Sequence, residues 1–144
     1  MATSELTSAA FSEVRETLSD LSRQAKRSPA VDSQALVTRR ALGQLVVQAF
    51  ELAQRSMEEK KYALALQYFD VAALGSKHPE WAHYHRARAY ALMSDKKKML
   101  SELRLAIAGG VEDASALETE EFQPYRAQPE FEALISQLKI KAQH

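Results

Sequence analysis

Slid along itself by one fixed offset, the sequence lays Ala53 on Ala87, Phe69 on Leu103, Ala72 on Ala106, Ala73 on Ile107 and Gly75 on Gly109. A recurrence with a period of about 34 residues limits the fold severely. It means one supersecondary unit repeated, because a unit this small cannot bury its apolar face alone and needs a stacked neighbour to do so. Each unit reads as a helix, a short turn at Lys60-Lys61 or Ser94-Asp95, and a second helix. Small residues such as Ala53, Ala65, Ala72, Ala87 and Ala106 let two antiparallel helices approach closely. The larger Leu52, Phe69, Tyr90 and Leu103 are expected to fill the space between adjacent hairpins.

Ahead of these units, Leu6, Ala10, Val14, Leu18, Leu21 and Ala25 recur at steps of three and four, which predicts one apolar stripe on a helix over roughly residues 5–27. The Ser28-Pro29 pair discourages helical geometry at the residue before proline and predicts a turn. Asp32 or Ser33 can cap a second, long helix whose stripe runs through Leu36, Leu42, Leu45, Ala49, Leu52 and Ala53 to about Glu59. Gly43 inside it costs about 1 kcal/mol relative to Ala, which suggests a kink or a close helix contact there. The first helix must bury its stripe, either on the second helix or across the symmetry axis of a dimer.

Residues Leu52-Ala53 on the first helix of unit one, Ala65-x-x-x-Phe69 on its second helix and Ala87-x-x-Tyr90 in unit two carry a resemblance to the tetratricopeptide repeat. The stretch Tyr62-Ala63-Leu64-Ala65-Leu66-x-Tyr68-Phe69, followed by Ala72-Ala73, is its most specific part. The sequence departs from the pattern at Ala49, where a large aromatic is expected, and at Met99, where the family has a small residue. Ala also stands at the first-helix glycine position in both units, and Pro79 falls a little late. Beyond Gly109-Gly110, the residues Leu117, Phe122-x-Pro124-Tyr125-Arg126 and Pro129-x-Phe131-x-x-Leu134 look like the cap that ends many bacterial arrays of this kind. Phe122, Tyr125, Phe131, Leu134 and Leu138 would form its lid. Pro129 suits the first turn of a last helix running to about Lys141. The expected fold is therefore all-α: TPR-like antiparallel hairpins in a short right-handed superhelix of about seven helices. Residues 1–45 hold the amphipathic helix and the start of the long one, 46–110 the two repeats, and 111–144 the cap.

The resemblance implies a binding groove on the concave face, formed by the first helix of each hairpin. The matching positions are Val47, Phe50, Glu51, Gln54 and Met57 in unit one and Trp81, Tyr84, His85 and Arg88 in unit two. Trp81, Tyr84 and Arg88 share a helix face, and aromatics beside Arg are the composition of an interaction hot spot. The expected partner-binding set is Trp81, Tyr84, His85, Arg88, Phe50 and Gln54, although Trp81 and Tyr84 could instead pack against the first hairpin. Phe50, Gln54 and His85 cannot supply the paired lysines with which some such repeats grip a terminal carboxylate, while Arg88 could meet an acidic group on a partner.

Other chemistry finds little support. The chain has no Cys, so disulfides, thiolate nucleophiles and Cys-based zinc sites are excluded. His83 and His85 stand two apart on a helix and point to different faces, so no metal site is expected. No phosphate loop or nucleophile elbow is present, because Gly109-Gly110 ends a helix instead of opening one and serves as a left-handed cap. The 19 basic and 19 acidic residues cancel, which argues against nucleic acid and anionic membranes as partners. The run Lys96-Lys97-Lys98 reads as solvated surface, and Glu118 to Glu121 as a polar linker. With no long apolar run and a polar start, the chain is expected to be cytoplasmic. The sequence reading is thus a non-enzymatic adaptor or scaffold, without cofactor or metal, that binds a protein or peptide segment. The alternatives are a self-associating structural domain, with a homodimer through the first helix, or an accessory domain of a larger enzyme.

Overall fold

The computed structural model describes residues 8–27 and 33–142. Among them six α-helices form: α1 (Ser8–Arg27), α2 (Ser33–Glu58), α3 (Tyr62–Gly75), α4 (Pro79–Leu92), α5 (Lys96–Gly109) and α6 (Pro129–Ala142). Two short 3-10 turns, Ala114–Leu117 and Glu120–Tyr125, lie between α5 and α6. The described residues contain no strand. The fold is all-α and built of helical hairpins: α3 packs on α2, α4 on α3, and α5 on α4. Leu6, the Ser28-Pro29 turn and the Asp32 cap lie outside the described residues, as do the side chains of Ala10, Leu21 and Ala25.

The hairpin turns are alike down to the backbone. Lys60 and Ser94, at equivalent positions of the two units, are the two non-glycine residues with positive φ among the described residues, at 61° and 60°. After each, the amide of the next residue reaches back to close the turn: Lys61 N–H donates to the Ser56 carbonyl (2.8 Å) and Asp95 N–H to the Tyr90 carbonyl (2.9 Å). Both acceptors are again 34 residues apart. The helices that follow, α3 and α5, each run for 14 residues. At their ends the glycines serve close approach. A Cβ on Gly75 would stand 2.8 Å from Val46 Cγ2, and one on Gly109 would stand 2.8 Å from Cβ of Glu80, the residue 34 positions beyond Val46. The left-handed geometry falls to Gly110 (φ 128°), whose N–H bonds back to the Ile107 carbonyl. Gly43 behaves differently from the expectation of a kink or a close contact: α2 runs unbroken through it, and an added Cβ would meet nothing within 4 Å.

Two apolar cores result. Leu18 of α1 is 1% exposed and packs with Leu42, Ala49, Ala53, Phe69 and Ala72 of α2 and α3. The described part of the α1 stripe, Val14 and Leu18, is therefore covered within the chain, without a second copy. The other core joins α4 and α5 to the C-terminal segment through Leu103, Ile107, Leu117, Phe122, Phe131 and Leu138. Phe122, Tyr125, Phe131, Leu134 and Leu138 are all buried. This segment resembles a hairpin in outline: the two 3-10 turns fall within 114–125, the stretch 34 residues beyond most of α4, and α6 follows as the second helix. Pro124 has no N–H to donate and would clash with the preceding turn of an α-helix, which disfavours an α-helix through the second of these turns.

Between the two cores, α3 and α4 are joined by small residues and charge. Ala82 and Ala89 are fully buried. Arg86 donates to the Leu66 carbonyl (3.0 Å) and to Glu102 (3.1 Å), while Glu102 also meets His83 Nδ1 at 2.7 Å. Asp70 is shared, 2.8 Å from Arg15 of α1 and 3.8 Å from Arg86. The chain of pairs ties α1, α3, α4 and α5 together along one side.

Candidate functional face on α2 and α4

The six residues singled out from the sequence gather where α2 meets α4, but they divide into a base and a rim. Phe50 stands edge-on to Phe69 (5.9 Å between centroids) and to His85 (5.9 Å). His85 stacks flat on Phe69, at 5.3 Å and 10° between planes, and Tyr84 is tilted against it at 5.2 Å. Burial first, and then the neighbouring Arg88 charge, lowers the His85 pKa to about 4. The ring is neutral at pH 7. Because a guanidinium can only donate, the 3.2 Å contact from Arg88 Nη1 makes His85 Nδ1 the acceptor and leaves the proton on Nε2.

Tyr84 is 7% exposed and belongs to the second core. Its hydroxyl donates to the Ala116 carbonyl at 2.6 Å, and its ring lies against Phe122, so it anchors the C-terminal segment and presents little surface. Burial pushes its pKa up. Arg88 is also engaged. Its Nε and Nη2 both donate to Glu121 Oε1, the first at 3.0 Å. Burial would raise the Glu121 carboxyl, yet the Arg88 hydrogen bonds with a backbone bond and the Arg88 charge outweigh it and hold the pKa below its ordinary value. Glu121 is thus a structural partner of α4, in correction of the polar-linker reading. The two residues lie far apart in the sequence, and nothing in the run Glu118 to Glu121 announces the contact.

The rim is exposed. Trp81 is 43% exposed with its ring edge-on to Tyr84 at 5.8 Å, and Val47, 34 residues earlier on α2, is 56% exposed. Gln54 is partly exposed one helical turn from Phe50, and Glu51 is exposed one turn from Val47. What the face offers a ligand is two apolar contact points, an amide and a carboxylate, above a floor of locked aromatic rings.

Other titratable clusters lead elsewhere. His78 pairs with Glu80 (3.1 Å), His83 with Glu102 and His85 with Arg88, so the three histidines take three directions. Among the described residues no group of three His, Asp or Glu side chains is placed to hold a metal ion. No described helix is long and apolar enough to cross a membrane. No family model matches the chain, and neither a curated protein nor a solved structure matches it.

Proposed function

We propose that this chain is a non-enzymatic protein-interaction module, a cytoplasmic adaptor or scaffold of tetratricopeptide-like hairpins in a short right-handed superhelix, which binds a protein or peptide segment on the α2–α4 face. The observation that carries the reading is the exposure of Trp81 and Val47 at equivalent positions of successive hairpins. A large aromatic left open over a rigid base is what a binding hot spot requires, because little conformational freedom remains to be lost on association. Phe50, Tyr84, His85 and Arg88 supply the base, and Trp81 and Gln54, joined by Val47 and Glu51, supply the contacts. Two hairpins make a short platform, which suits a segment of a few residues.

Affinity capture with the intact protein and with a Val47→Ser, Trp81→Ala variant tests this. Both side chains are exposed, so the variant should fold normally and lose the partners that the parent retains. Recovery of the same partners by both proteins places binding elsewhere.

A further inference from the structure

One guanidinium links the C-terminal segment to the floor of the face. All three nitrogens of Arg88 are engaged, Nε and Nη2 on Glu121 Oε1 and Nη1 on His85 Nδ1. The group is planar, so a carboxylate that takes two of its donors fixes the direction of the third. Glu121 is itself held, because the next residue, Phe122, is fully buried against Tyr84 and Phe131. The Arg88 and Glu121 side chains are only 25% and 16% exposed, so little water competes for the pair.

What the guanidinium aims is the ring that stands between α2 and α4. A neutral imidazole can turn over in its slot, or carry its proton on the other nitrogen, with little change of shape. Stacking on Phe69 fixes the plane of His85 but not which edge faces which neighbour. The bond from Arg88 selects one edge and one tautomer. Helices α2 and α4 each reach α3, and on this face they meet through rings, with Phe50 edge-on to His85. The energy of an edge-on contact depends on the charge along the edge presented. We infer that Glu121 is a positioning residue for this face: through Arg88 it holds the His85 ring in one orientation, and through that ring it sets the spacing of Val47 on α2 from Trp81 on α4. It acts without touching the bound segment. The importance of that spacing rests on the binding reading above, whereas the spacing itself is measurable without a partner.

The chain has one Trp and no Cys, so a bimane label on Val47→Cys, quenched by tryptophan at short range, reports the distance to Trp81 alone. Long-range 15N NMR reports the His85 tautomer. Glu121→Gln keeps the shape of the side chain and removes its charge, while Arg88→Lys keeps the charge pair but lacks the fork that reaches His85. Both should replace the single Nε2–H form of His85 by averaged tautomers and shift the bimane quenching. In the unlabelled chain both should weaken capture of the partner by about fivefold. Tyr125→Phe loses a different bond of the C-terminal segment, to the Ala91 carbonyl, and should leave the His85 and bimane signals as in the parent. Parent-like signals in Glu121→Gln overturn the inference, as does a changed His85 with unchanged quenching. Equal shifts in Tyr125→Phe also overturn it, because Glu121 would then serve only to dock the segment. Shifted signals with unchanged partner capture uphold the positioning and overturn the binding reading instead.

Discussion

Replacing His85 by Gln should flatten the acid side of the stability curve. In the native chain the imidazole stacks on Phe69 beside a guanidinium, and its pKa falls from 6.5 to about 4, while in the unfolded chain it titrates normally. The unfolded state then binds the extra proton first, so the contribution is fully present above pH 6.5 and is lost as pH falls toward 4. A difference of about 2.5 pH units, at about 1.36 kcal/mol for each, gives a loss of about 3 kcal/mol between pH 7 and pH 4. That is a large fraction of the roughly 5–15 kcal/mol that holds a domain of this kind together. Glu121, whose carboxyl is held low in the native state, loses stability with the same sign, so parent and variant must be compared at each pH. Gln keeps a hydrogen-bond acceptor for Arg88 and does not titrate. Denaturant unfolding at a series of pH values should show the parent losing about 3 kcal/mol more than the variant on going from pH 7 to pH 4. Parallel curves, or an imidazole that titrates near its ordinary value by NMR, would refute the packing of His85 against Phe69 and Arg88.

The glycines should separate by sign. Gly43→Ala adds a methyl in open space on an exposed stretch of helix and should stabilise by about 0.5–1 kcal/mol, while Gly109→Ala drives a Cβ into the fixed Cβ of Glu80 and should cost about 1–3 kcal/mol, both read from thermal melts. Tyr84→Phe removes the bond to the Ala116 carbonyl and should cost about 1–2 kcal/mol, with hydrogen exchange rising first in the 3-10 turns. Because the described α1 stripe is covered within the chain, light scattering at micromolar protein should give the monomer mass, and a dimer that persists when Leu18 packing is intact would mean that α2, with exposed Leu36, Val37, Leu45 and Leu52, self-associates.

Much of the fold is legible in the sequence because helical hairpins are local. The positions of α3 to α5, the turns at Lys60 and Ser94 and the buried Phe122, Phe131 and Leu138 follow from spacing and residue size, which act over one or two helical turns. What escapes is set by distant partners. Tyr84 reads from the sequence as either a groove aromatic or one packed on the first hairpin, and only its contacts with Ala116 and Phe122 show that it belongs to the core of the C-terminal segment. Arg88 looks free until Glu121 closes on it. The 3-10 turns in place of a helix have their signal in Pro124, which sits too late in that stretch to be a first-turn proline. Gly43 is open to either reading, since periodicity marks it as a weak point but does not say what lies opposite.

The central claim, that the rim of Val47 and Trp81 is the binding surface, is tested most directly by titration calorimetry with the protein captured by the parent chain. Trp81→Ala should weaken binding by about tenfold or more, as for a central interface aromatic, while Leu105→Ser on the exposed side of α5 should leave it unchanged. Unchanged affinity for Trp81→Ala, with loss in the α5 variant, would contradict it.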